Sequence, residues 1–75
     1  MFITDIFKIV VHFEGSLDSV VVPRIFFDRQ GAFKYAQDIK DEGCYDDKPI
    51  ADVIIYREIP DSELGWFRTA GQTRV

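Results

Sequence analysis

The segment from Ile6 to Glu14 alternates between apolar and polar positions. Its odd-numbered positions from 7 to 13 are all Phe, Ile or Val, whereas the even-numbered ones include Lys8, Val10 and His12. Successive side chains of a β-strand point to opposite faces of the sheet, so this pattern predicts a half-buried strand with one apolar face.

A second apolar run extends from Val20 to Phe27, after a polar stretch at residues 15–19. A five-residue connection is too short for a parallel crossover, so the two strands are expected to form an antiparallel hairpin. Pro23 interrupts the second run, and proline has no N–H to donate to a sheet. The second strand is therefore expected at an edge of the sheet, or with a bulge at Pro23.

Helical spacing of apolar residues begins after Asp28, a residue type that favours the N-cap position. Gly43 suits the left-handed C-cap position, which places the end of the helix just before it. The predicted apolar face, including an aromatic residue expected in the core, consists of Ala32, Phe33, Ala36 and Ile39.

The pattern of residues 44–75 predicts one clear strand and several less regular segments. We expect a polar loop at 44–50, then a strand from Asp52 to Ile59 that is apolar on both faces and hence central in the sheet. A turn is expected at residues 60–63. Leu64 to Thr69 is either a short further strand or an irregular segment, and residues 70–75 are expected to be frayed.

These elements define an α+β fold with the order β-β-α-β-β. One helix is expected to pack on one face of a three- or four-stranded, mostly antiparallel sheet, in a single domain spanning residues 1–75. The predicted core consists of Phe7, Ile9, Val11, Phe13, Ala36, Ile39, Val53 and Ile55. The opposite, partly covered face is expected to carry Val10, Ile54, Tyr56 and either Trp66 or Phe67.

Composition favours a folded cytoplasmic monomer, with a homodimer as an alternative. Aromatic residues make up 15% of the chain, and they bury much apolar area in a small domain. Cys44 is the single cysteine, so no internal disulfide is expected, which fits a reducing compartment. No apolar run approaches the roughly 20 residues that span a bilayer, and Met1 to Asp5 lacks signal-peptide features. We therefore expect no membrane association.

The sequence contains no pattern typical of a catalytic, metal or cofactor site. His12 is the only histidine, and Cys44 follows a helix end among carboxylates that disfavour a thiolate. The glycines are isolated, and the acidic residues lack the spacing of a calcium-binding loop. We therefore predict a non-enzymatic protein without catalytic residues, metal ligands or cofactor.

Negative charge is concentrated in the second half of the chain. Residues 38–75 have nine acidic and five basic residues and so carry the whole net charge of −4. This half contains a dense run composed of Asp38, Asp41, Glu42, Asp46 and Asp47. The run either binds a partner with a basic surface or only keeps the protein in solution.

Three aromatic residues are candidate anchors of an interface, because Tyr and Trp are frequent among interface hot spots. They are Tyr45, Tyr56 and Trp66. For Trp66, packing in the core is the alternative to a role in an interface. Direct nucleic-acid binding is disfavoured, because the charge of the chain repels phosphate.

The stretch from Phe27 to Ala36, together with Val53 to Glu58, resembles in style the small phage-encoded host-takeover proteins. These include anti-CRISPR proteins and phage inhibitors of host polymerase. The resemblance lies in size, acidity and order of elements, and it transfers no residue role. It implies an inhibitor or adaptor in the host cytoplasm that binds a host protein or nucleic-acid-handling complex. The alternatives are a homo-oligomeric structural or regulatory subunit and a small nucleic-acid-binding module.

Overall fold

Five strands and one helix make up residues 5–75, the part of the chain that the computed structural model describes. The predicted α+β class and the order β-β-α-β-β are confirmed, with one additional two-residue strand after the helix. The elements are β1 (Ile6–Phe13), β2 (Ser19–Val21), α1 (Arg29–Glu42), β3 (Cys44–Tyr45), β4 (Lys48–Asp61) and β5 (Trp66–Arg74). Residues 1–4, where the sequence shows no signal-peptide features, lie outside this part.

The sheet is built around β4, as its apolar faces predict. All pairings are antiparallel: β1 lies along one edge of β4, and β3 and β5 occupy successive parts of the other edge. β2 pairs with the outer edge of β1, so the prediction of an edge strand is confirmed. No helix in residues 5–75 is long and apolar enough to cross a membrane.

Proline limits β2 to three residues, so the predicted strand from Val20 to Phe27 is too long. Val22 still donates its N–H to the carbonyl of Ile9, but the chain then leaves the sheet at Pro23. It returns at Phe26, which exchanges two backbone hydrogen bonds of 2.7 and 2.9 Å with Phe7. The missing proline N–H accounts for this interruption.

Both predicted helix caps are confirmed. The Asp28 carboxylate accepts a hydrogen bond of 2.9 Å from the N–H of Gly31, and Gly43 adopts φ 74° beyond the last turn. Ala32, Ala36 and Ile39 face the sheet as predicted.

The prediction that Phe33 lies in the core is wrong, because its side chain is 45% exposed. The two buried alanines have small side chains, which allow the helix axis to approach the sheet closely. Phe33 follows Ala32 around the helix, and its side chain therefore lies beside the contact between helix and sheet rather than within it.

The core lies between α1 and the face of β1 and β4 that carries their odd-numbered residues. Seven of the eight predicted core residues are buried; Phe13 is only half-buried, near the end of β1 where the register shifts. Ala32, which was predicted on the apolar face of the helix, and Val22, which was not predicted to be buried, complete the cluster.

The single helix of residues 5–75 packs on one face of the sheet and leaves the opposite face open. Val10 is directly opposite Ile54, and Tyr56 follows on the same face, as predicted. Of the two aromatic candidates, Phe67 joins this face, because it pairs with Pro60, four positions beyond Tyr56. Trp66 therefore lies on the other side of its strand.

One carboxylate on this open face is buried. Glu58 is 5% exposed and forms an ion pair of 2.8 Å with Lys8, which lies on the neighbouring strand. Burial of a charge is costly unless the charge is paired, so the ion pair with Lys8 offsets the cost of burying the Glu58 carboxylate.

The segment 44–50 is a hairpin, not the predicted polar loop. Tyr45 pairs with Lys48, and the turn between them consists of Asp46 and Asp47 with φ 53° and 62°. Two successive left-handed residues form the turn that suits a two-residue hairpin, and aspartate tolerates this conformation better than most residues. Residues 48–50 consequently belong to β4.

The C-terminal residues are held in the sheet rather than frayed. Leu64 belongs to the turn, the last strand begins at Trp66, and residues 70–74 form its second half. Val75 donates its N–H to the carbonyl of Val53 at 2.9 Å, and Lys40 donates to the carbonyl of Val75 at 2.6 Å. These contacts account for the order that the polar composition does not predict.

Two glycine-to-alanine changes should have opposite effects on stability. Gly43→Ala should lower the free energy of unfolding by about 1–2 kcal/mol, the cost of a left-handed residue with a Cβ. Gly71→Ala should leave it unchanged or raise it, because Gly71 lies in β5 with no positive φ and open space around its Cβ position. Urea unfolding of both variants checks this, and an equal loss would contradict the assigned C-cap.

Candidate functional site

Five carboxylates gather at one end of the molecule, which we call the acidic end: Asp38, Asp41, Glu42, Asp46 and Asp47. The last turns of α1 and the β3–β4 turn carry them. Gly43 reverses the chain between the two elements, and its carbonyl accepts a hydrogen bond of 3.2 Å from the N–H of Ile50. This bond fixes the turn against the start of β4.

All five carboxylates are exposed, and none takes part in an ion pair within residues 5–75. The four ion pairs of this region use Asp5, Asp52, Glu58 and Asp61. Asp41 accepts one hydrogen bond, from the neutral Gln37 amide, at 3.0 Å. The negative end of the helix dipole lies at the same place, so the local field is strongly negative. No group of three or more potential metal ligands occurs in the described residues.

The predicted aromatic anchors do not share a surface with one another. Tyr45 adjoins the acidic end but is half-buried and packs against the core. Tyr56 lies on the open sheet face, and Trp66, 68% exposed, lies near the hairpin tip at the far end of β4. The acidic end and the tip therefore lie at opposite ends of β4, a strand of 14 residues.

A cavity of about 460 Å³ adjoins the acidic end. It lies between the β1–β2 loop and the β3–β4 turn, and Tyr45 and Asp46 line it together with Glu14 and Asp18. The negative surface therefore continues from the helix end into a concave region that a partner side chain can enter. Lys48 also lines the cavity, with its Nζ 5.5 Å from the ring centroid of Phe13.

The sheet places the lone histidine between a serine and an aspartate, which sequence reasoning did not foresee. His12 is directly opposite Ser19 on one neighbouring strand and Asp52 on the other. Within the described chain no hydrogen bond joins these side chains, and Asp52 lies 3.7 Å from Arg74 instead. Ser19, His12 and Asp52 thus have the residue types of a hydrolytic triad but lack the side-chain hydrogen bonds that a triad requires.

Replacing His12 or Cys44 by Ala should leave partner binding within a few-fold of the wild type. Cys44 is exposed, and among residues 5–75 neither side chain has a hydrogen-bonded partner of the kind that activates a nucleophile or base. Binding measurements on the two folded variants check this. Loss of function in either would contradict the non-enzymatic prediction.

Sequence reasoning missed a second concave region, between α1 and β5. This cleft has a volume of about 410 Å³, and Arg29, Phe33, Arg57 and Gly71 are among its lining residues. The only signal in the sequence is the helical spacing of Arg29 and Phe33, which puts both on one side of α1. Arg57 and Gly71 reach the same place through strand register, which the sequence does not reveal.

Comparison with protein-family models, with curated proteins and with solved structures finds no match to this chain. No residue role is therefore transferred from another protein.

Proposed function

We propose that this protein is a non-enzymatic protein-binding domain, an inhibitor or adaptor, whose acidic end docks on a basic surface of a partner protein. The observation that carries the proposal is the set of five exposed carboxylates, none of which forms an ion pair within residues 5–75. Residues 1–37 are neutral overall, and five of the nine acidic residues in 38–75 lie at the acidic end.

A concentrated negative field supports binding in two ways. It accelerates encounter with a positively charged surface, and it disfavours partners of like charge. Carboxylates spaced along a helix end and a turn also resemble a row of phosphates in charge. The resemblance to phage host-takeover proteins supports a host nucleic-acid-handling complex as the partner.

The contact area is supplied by the cavity beside the acidic end. Half-buried Tyr45 lines this cavity together with Asp46. Tyr56 and Trp66 lie on other surfaces, so the docking surface that we propose includes Tyr45 and not these two.

The experiment compares capture of partners from a bacterial lysate by three tagged proteins. They are the wild type, an acidic-end variant with Asp41→Lys and Glu42→Gln, and a control variant with Ser62→Lys and Glu63→Lys at the opposite hairpin tip. Each variant raises the net charge by three. A partner held by the wild type and the control, but lost by the acidic-end variant, supports the proposal.

Two further outcomes would contradict the proposal. Equal capture by all three proteins would show that the acidic end is not the docking surface. Light scattering that shows a stable homodimer, with no captured protein, would favour the homo-oligomeric alternative.

If the captured partner is a nucleic-acid-binding protein, excess short duplex DNA should displace the wild-type protein from that partner.

A further inference from the structure

β5 presents an open sheet edge of nine residues. Within the described chain its outer edge pairs with no strand, and it contains no proline. The other edge strand, β2, has only three residues and ends next to Pro23. Long open edges bind extended chains, whereas short, proline-limited edges do not.

The backbone of β5 has free hydrogen-bonding groups on this edge. Val75 donates its N–H toward β4. Because strand residues alternate in direction, the N–H and C=O groups of Gln72 and Arg74 point away from β4. A peptide lying alongside can therefore pair with both residues.

A groove follows the edge on the helix side. α1 lies over β1 and β4 and leaves the cleft of about 410 Å³ beside β5. Phe7 and Ile55 form its apolar floor, and Phe33 stands at its side, 45% exposed. A volume of this size accommodates a large side chain with room for its neighbours.

Gly71 leaves space in this groove that the fold itself does not need. Its φ is not in the left-handed region, and a Cβ atom added there would meet nothing within 4 Å. Gly71 lies beside the register shift of β5, but its φ does not require glycine there, and glycine weakens a strand interior. A glycine inside a strand often marks close approach of another chain or a ligand.

The groove is positively charged, in contrast to the acidic end. Arg29 has no ion pair within residues 5–75, and its guanidinium lies 5.9 Å from the ring centroid of Phe7. Arg57 is already paired with Asp5, at 3.2 Å through its buried Nε, so Arg29 is the groove cation that is open to a peptide carboxylate. The two cations of β5 do not line this cleft, because Arg68 is paired with Asp61 at 3.1 Å and Arg74 with Asp52 at 3.7 Å.

We propose that β5 and this groove bind an extended acidic peptide segment of a partner protein as an added strand. Backbone pairing uses Gln72 and Arg74. An apolar peptide side chain enters the space beside Gly71, and a neighbouring carboxylate binds Arg29. This surface and its charge differ from those of the acidic end, so the inference does not rest on the function proposed above.

The test uses a fluorescein-labelled synthetic peptide as long as β5 that alternates Glu with Val and Phe, and an analogue with Lys in place of Glu. We expect the Glu peptide to bind at least tenfold more tightly than the Lys peptide. In NMR spectra the amide signals of Gln72 and Arg74 should shift and gain protection from exchange. Gly71→Val should weaken binding at least tenfold, while its thermal unfolding temperature stays the same or rises.

A second variant keeps the test informative if Gly71→Val does not fold. Arg29→Glu lies in the first helical turn, where an acidic residue is favourable, and it should weaken binding of the Glu peptide about tenfold. The acidic-end variant serves as control and should bind the peptide like the wild type.

Three results would overturn the inference. One is equal binding of the Glu and Lys peptides. Another is a dimer, detected by light scattering, in which the same amides are protected, since the occupant would then be a second copy of the chain. The third is tight binding of a short oligonucleotide at these residues without binding of the peptide.

Discussion

Replacing Ile9 by Ala should lower the free energy of unfolding by about 2–5 kcal/mol, the range for a buried large-to-small change. Ile9 is fully buried in the cluster between the sheet and α1. Removing its side-chain atoms loses their transfer free energy and leaves a cavity that rigid neighbours fill only partly. Urea unfolding followed by circular dichroism measures the loss.

The matched control is Ile25→Ala, the same chemical change at a site that is 55% exposed. It should alter the free energy of unfolding by no more than about 0.5 kcal/mol, as surface changes usually do. Equal losses in the two variants would contradict the assignment of the core.

Local signals in the sequence account for the parts of the fold that could be predicted. Asp28 and Gly43 act on the backbone within three or four residues of themselves, so their roles as helix caps can be read directly. The alternation in β1 is equally local. The edge position of β2 follows from the chemistry of Pro23 alone.

The parts that were missed depend on pairing with distant residues. Residues 70–74 are all exposed and show no apolar alternation, because backbone hydrogen bonds to β4 rather than burial hold them in place. The turn at Asp46 and Asp47 is composed of the same residue types as a polar loop. Phe33 has helical spacing, but how closely the helix approaches the sheet decides its exposure.

The same distinction applies to the candidate sites. The acidic end comes from one short stretch of chain, so its clustering was predictable. Tyr56 and Trp66 belong to different strands, and only the register shows that they point to separate surfaces. Arg29 and Arg57 meet at one groove because α1 crosses the sheet there, which no spacing in the sequence indicates.

The acidic-end variant, Asp41→Lys with Glu42→Gln, should associate with the captured partner about tenfold more slowly at low salt. Exposed charges act mainly on encounter, so its dissociation rate should change much less. Stability should not fall, because both sites are exposed and the last turn of α1 gains charge that suits its dipole. The variant leaves Asp46 and Asp47 unchanged, because both have left-handed backbone conformations in which Lys would strain the turn.

The most direct test of the acidic end is the association rate measured across ionic strength for the wild type, the acidic-end variant and the control variant. The wild type and the control should both slow steeply as salt rises, and the acidic-end variant should show a shallow dependence. The three rates should converge near 1 M salt, where charges are screened within about 3 Å. A wild-type rate that does not depend on salt, or an acidic-end variant that matches the control, would contradict an interaction driven by the acidic end.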